Sequence, residues 1–158
     1  MAFDFNADDI FEIAGQLEKN GADFYRTASQ KISDPGFVKL FAELSEMEME
    51  HYKKFSGIRS SLSGRQKSPT VADPADEAAL YLKALADMRV FYKKQVDYSS
   101  VESILLSAID AEKDSIIFYL GMQDFVPEKL GKESISDIIN EEKKHIKLLA
   151  GKLNSLKK

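Results

Sequence analysis

Two halves of this chain carry the same polar residues at the same spacing. Glu18 and Glu112, Tyr25 and Tyr119, Glu48 and Glu142, His51 and His145, and Gly57 and Gly151 are each 94 positions apart. Leu17-Glu18-Lys19 aligns in this register with Ala111-Glu112-Lys113, and Phe24-Tyr25 with Phe118-Tyr119. Both histidines of the protein fall in it, each three residues after a glutamate. One Glu-x-x-His arises easily by chance in an acidic, helix-rich chain. Two copies in register with a second Glu/Tyr pair imply two structurally equivalent halves.

Each half reads as a pair of helices. Apolar or small residues at Ile10, Ala14, Leu17, Gly21, Phe24 and Ala28 alternate steps of four and three, the mark of one helical face running from about residue 10 to 32, with Asp8 or Asp9 as its cap. Asp34 suits an N-cap and Pro35 the first position of a second helix, which is expected to reach about Ser56 and close at Gly57. Ser99-x-x-Glu102 has the capping-box pattern and opens a third helix to about Gln123. Val126-Pro127 through Gly131 then turns into a fourth that runs nearly to Leu156.

Between the pairs, residues 58–75 are rich in Ser and Pro and read as an exposed connection. A shorter amphipathic helix over 76–94 presents Tyr81, Ala84, Leu85, Met88, Phe91 and Tyr92 on one side, for core or dimer packing. No credible strand is present. The expected architecture is all-α: one domain over 1–158, with helix pairs at 8–57 and 99–156. It is a four-helix bundle whose long crossover, 58–98, contains a short extra helix.

The apolar stripes say where the repeated polar groups point. In the second helix the stripe reads Phe37, Phe41, Leu44, Glu48, His51, Phe55; in the fourth it reads Ile135, Ile138, Glu142, His145, Leu149. Glu18 lies on an inner face among Ala14, Gly15, Gly21 and Ala22, and Glu112 between Ala108 and Ser115. Measured from the turns at ~1.5 Å per residue, all of them meet at one level of the bundle. Burying one uncompensated carboxylate costs several kcal/mol, so a cluster of four must take up protons or a cation. Four carboxylates and two imidazoles in one layer suit a binuclear site for hard or borderline divalent ions.

Composition narrows the chemistry further. With no cysteine there is no disulfide, thiolate zinc site, iron–sulfur centre or cysteine nucleophile. A net charge of −4 leaves no basic surplus for nucleic acid or an anionic membrane, and every apolar stretch is interrupted by charge before it could span a bilayer. The first fifteen residues hold Asp4, Asp8, Asp9 and Glu12 but no Lys or Arg, unlike a secretory leader, so a cytoplasmic protein is expected. Glu43, Glu46 and Glu50 read as a solvated helix face.

Together these residues resemble the ferritin-like di-iron carboxylate proteins, and within them the rubrerythrin-like group, over nearly all of the chain outside 58–98. The motifs are Glu18 and Tyr25 with six residues between, Glu48-x-x-His51, Glu112 and Tyr119 with six between, and Glu142-x-x-His145. The resemblance implies two iron ions per chain, with Mn or Zn as substitutes. Glu48 and Glu142 would then bridge, Glu18 and Glu112 would be terminal ligands, and His51 and His145 would serve one metal each. Tyr25 and Tyr119 would sit just outside.

Two departures from that group stand out. Its additional carboxylate, one turn after the third-helix glutamate, is Ser115 here, and its cysteine-ligated electron-donor centre is absent. The implied activity is an oxidoreductase that reduces hydrogen peroxide, with an external electron donor and a role in oxidative stress. Ferroxidase chemistry with oxygen uses the same residues, and a non-catalytic metal-binding or interaction bundle is a third alternative. A homodimer is the expected assembly.

Overall fold

The computed structural model describes residues 6–62, 80–82, 84–85, 96–126, 129 and 131–157. Four long helices contain most of them: α1 (Ala7–Lys31), α2 (Pro35–Ser61), α3 (Val101–Phe125) and α4 (Lys132–Leu156). Among the described residues there is no strand, and no helix is long and apolar enough to cross a membrane.

The helix ends follow local chemistry, in three cases at positions other than those expected. Asn6, not Asp8 or Asp9, caps α1: its side chain accepts from the Asp9 N–H at 3.0 Å while Asp9 accepts from the Asn6 N–H at 3.1 Å. Asp8 is instead engaged by Arg59 at 2.9 Å. Asp34 caps α2 as expected, accepting from the N–H groups of Gly36 and Phe37 with Pro35 in the first turn.

Gly57 does not close α2. The helix continues to Ser61, because buried Phe55 and Leu62 and the Arg59 ion pairs with Asp8 and Glu12 hold its last turns. Ser100 rather than Ser99 caps α3 by accepting from the Ser103 N–H, while the Ser99 N–H is tied to Asp97. Gly131, which precedes α4, has φ 101°, a backbone conformation that requires glycine, and a Cβ there would also crowd Ile58 Cδ1 at 3.0 Å.

The turn at 32–34 folds α2 back along α1. Their register is fixed by the Ser29 hydroxyl donating to Val38 O at 2.9 Å and the Ser45 hydroxyl to Ala22 O at 2.7 Å. All the inner-stripe residues expected for α1 and α4 are buried, as are those of α2 from Phe41 to Phe55.

The apolar core is in two parts. One is built around Ile10, Phe11, Phe55, Phe118, Met122, Ile135 and Ile138. The other is built around Phe24, Phe41, Leu44, Ile104, Leu105 and Leu149. On every helix the residues of one part lie before the buried glutamate and those of the other after it, so a polar layer divides the core.

In the crossover, residues 80–82 and 84–85 are helical. Leu82, not Tyr81, is the buried residue here; Tyr81 is half exposed. The reason is α3, where Gly121 lacks the Cβ that would come within 2.8 Å of Leu82 Cδ2, so the leucine seats on the chain's own bundle. Met88, Phe91 and Tyr92, with the connection at 63–79, lie outside the described residues.

Candidate metal centre

The dividing layer consists of Glu18 from α1, Glu48 and His51 from α2, Glu112 from α3, and Glu142 and His145 from α4, all of them buried. Two overlapping groups form. Ligand atoms of Glu18, Glu48, His51 and Glu142 lie within 4.8 Å of one another, as do those of Glu48, Glu112, Glu142 and His145. Glu48 and Glu142 belong to both groups, whereas each histidine and each of Glu18 and Glu112 belongs to one.

His51 Nδ1 is 2.6 Å from Glu142 Oε1, off the line of a hydrogen bond, and 3.4 and 3.5 Å from Glu18 and Glu48. His145 Nδ1 is 3.3, 3.5 and 3.6 Å from Glu142, Glu112 and Glu48. The imidazoles stack with centroids 5.9 Å apart.

Six buried atoms in this layer have no hydrogen-bond partner: Glu18 Oε2, Glu48 Oε1, both carboxylate oxygens of Glu142, and Nδ1 of both histidines. Buried polar atoms are nearly always paired, and an orphan costs about 1–3 kcal/mol. Six that converge on one small volume are the donor set a cation needs. Oxygen and imidazole nitrogen, without sulfur, suit iron, manganese or zinc in the divalent state.

Without a cation the layer compensates by holding protons. Burial raises the Glu48 carboxyl well above its ordinary range, reinforced by the charges of Glu112, Glu18 and Glu142; burial and the charges of Glu112 and Glu18 raise Glu142 likewise. For Glu112, burial pushes up but its neighbours Glu142 and His145 outweigh it and hold it at about 2. Burial would lower both histidines, yet the adjacent carboxylates override it and push His51 up to about 11 and His145 to about 10. The imidazoles thus carry the positive charge that the carboxylates demand.

Both tyrosines meet the layer, and they do so across the bundle. Tyr25 on α1 donates to Glu112 Oε1 of α3, and Tyr119 on α3 donates to Glu18 Oε1 of α1, each at 2.6 Å. Burial, with the charges of Glu18 and Glu142, keeps the Tyr119 hydroxyl protonated far above its ordinary range. Ser115 is buried within α3, one turn after Glu112. Glu43, Glu46 and Glu50 are exposed on α2, as a solvated face requires.

One residue of the site is invisible to the repeat. Glu141, next to Glu142, accepts a hydrogen bond from His51 Nε2 and sits 3.8 Å from Lys54 Nζ. Its counterpart 94 positions earlier is Met47, so self-alignment passes over it. The doubled Glu141-Glu142, one residue facing in and the next flanking it, was the available signal.

No protein-family model matches the chain, and no curated protein matches it. A solved structure from Thermotoga maritima, provisionally assigned as a ferritin-like diiron-carboxylate protein, superposes with a TM-score of 0.70. The match covers 98% of each chain at 22% sequence identity. With four long helices, a crossover carrying a helical segment, and a carboxylate–histidine layer across its middle, the chain adopts the ferritin-like fold.

Proposed function

We propose that the six side chains hold a pair of divalent metal ions, iron by preference, and that the protein uses them to reduce hydrogen peroxide with electrons from an external donor. The observation that carries this reading is the set of six orphaned, inward-facing N and O atoms. The Thermotoga maritima protein, named for a diiron-carboxylate site, supports it.

Glu18, Glu48, His51 and Glu142 would hold one ion and Glu48, Glu112, Glu142 and His145 the other, with Glu48 and Glu142 shared. A bound pair of irons supplies two electrons and open coordination positions for a small oxidant. Four carboxylates neutralise two divalent charges, and the protons on His51, His145, Glu48 and Glu142 leave as the cations enter. Tyr119 holds Glu18 by Oε1, leaving Oε2 to point inward 3.4 Å from His51 Nδ1, and Tyr25 holds Glu112 by the oxygen that faces His145. The apolar clusters on both sides keep bulk water out of the layer. Manganese and zinc suit the same donors.

A second reading, oxidation and handling of ferrous iron as substrate, is favoured by Ser115. That position offers a hydroxyl where the rubrerythrin-like group that the sequence resembles carries a further carboxylate, so the side chain cannot exchange with a histidine as a ligand.

The test is an anaerobic ferrous titration of metal-free protein followed by rapid mixing with hydrogen peroxide and, separately, with oxygen. Saturation near two irons per chain with faster oxidation by peroxide supports the first reading, and faster oxidation by oxygen the second. A saturable site silent to both oxidants would make this a metal-binding bundle without redox turnover. Absence of saturable uptake would refute the metal site altogether.

A further inference from the structure

The two histidines are matched by the repeat but not by their surroundings. His51 is held from both sides: Nδ1 faces Glu18, Glu48 and Glu142, while Nε2 donates to Glu141. Glu141 is only part-buried and is itself steadied by Lys54 of α2, so this contact ties α2 to α4 at the rim of the polar layer. His145 has the inward contacts but no acceptor on Nε2 among the described residues. The register position that would supply one is Met47, an exposed thioether that cannot accept such a bond with comparable strength.

The difference bears directly on metal binding. A carboxylate on the outer ring nitrogen fixes the tautomer, so the inner nitrogen presents its lone pair; it locks the ring orientation and makes the imidazole a stronger donor. His51 has all three advantages and His145 has none of them. The side chain of His51 is also the better sheltered, 1% exposed against 7%.

We propose that Glu141 is a positioning residue that makes the two cation positions unequal: the position built on Glu18 and His51 binds a divalent ion more tightly than the one built on Glu112 and His145. This rests on the reading that the six side chains hold two cations, and it adds an order of filling. The tight position is occupied first, and the second ion is the one that exchanges.

Repulsion between two cations separates binding steps in any paired site, so each position is measured alone. In the full-length, metal-free protein, His145→Ala leaves the His51 position and His51→Ala leaves the His145 position. Each is titrated with Co(II) under anaerobic conditions and followed by its visible absorption. The His145→Ala protein is expected to bind Co(II) about 10–100-fold more tightly than the His51→Ala protein. Adding Glu141→Gln should remove that advantage in the first background and change affinity less than about three-fold in the second.

Equal affinities in the two single variants, or an equal effect of Glu141→Gln in both, would overturn the inference. Failure of the unaltered protein to take up Co(II) would instead overturn the metal reading on which it rests. Thermal unfolding of the metal-free variants, with helical signal retained at the titration temperature, separates lost affinity from lost fold.

Discussion

The Tyr25 hydroxyl on α1 reaches across the bundle to Glu112 Oε1 on α3, and the hydroxyl of Tyr119 makes the reciprocal bond to Glu18. Each tyrosine therefore serves the glutamate of the other helix pair rather than that of its own helix. Tyr25→Phe removes the donor and leaves a buried, ionised oxygen unmatched, at a cost of about 1–3 kcal/mol in the metal-free protein. Chemical denaturation of the two proteins at neutral pH measures it. An unchanged midpoint would mean that the carboxylate finds another donor.

Glu48→Gln should separate stability from binding. Glu48 is held protonated by burial and by three neighbouring carboxylates, so a neutral amide in its place leaves the charge of the metal-free layer unchanged. Melting of the metal-free variant is expected at or above the parent temperature. Divalent-ion affinity should fall by at least about ten-fold, since a ligand shared by both groups is lost. A large drop in metal-free stability would contradict the crowding of carboxylates around Glu48.

The pH dependence of the metal-free protein has a definite sign. His51 and His145 are raised to about 11 and about 10 in the folded state, against 6.5 when unfolded. Their stabilising contribution is fully present below pH 6.5 and is lost as pH rises through the folded values. Stability should therefore decline between about pH 7 and 10, by up to about 1.4 kcal/mol per pH unit for each histidine. Urea unfolding across that range tests this. Saturating metal, which replaces the protons, should flatten the decline.

Leu82 anchors the described part of the crossover in the core against Gly121. Leu82→Ala is expected to cost about 2–5 kcal/mol. Because the contact is made within one chain, the loss should be independent of protein concentration. A melting temperature that shifts with dilution in the parent but not in the variant would instead place this leucine in an interface between copies.

The site was legible from sequence because burial and repetition coincide: Glu48, His51, Glu142 and His145 interrupt apolar stripes at equal spacing, and nothing but the core can lie under a stripe. Features set by a choice between near-equivalent neighbours were not legible. Ser99 and Ser100 can each cap a helix, and Asp97 decides between them by binding the Ser99 N–H. Tyr81 and Leu82 both pack over Gly121, and the leucine sits deeper in its notch, with Cδ2 2.8 Å from where a Cβ would stand against 3.4 Å for Tyr81 Cε1. Gly57 suits a helix end, but the ion pairs of Arg59 and the burial of Leu62 carry the helix through it to Ser61. Glu141 escaped notice because its partner is spatial, 90 residues away on another helix.

Neither helix pair owns a complete group. The α1–α2 hairpin supplies Glu18, Glu48 and His51 but needs Glu142, and the α3–α4 hairpin supplies Glu112, Glu142 and His145 but needs Glu48. Each half is thus the other's missing part. A chain severed in the crossover would yield two fragments that are unlike in sequence and interlocking in chemistry, and the polar layer would be whole only in the heterodimer they form.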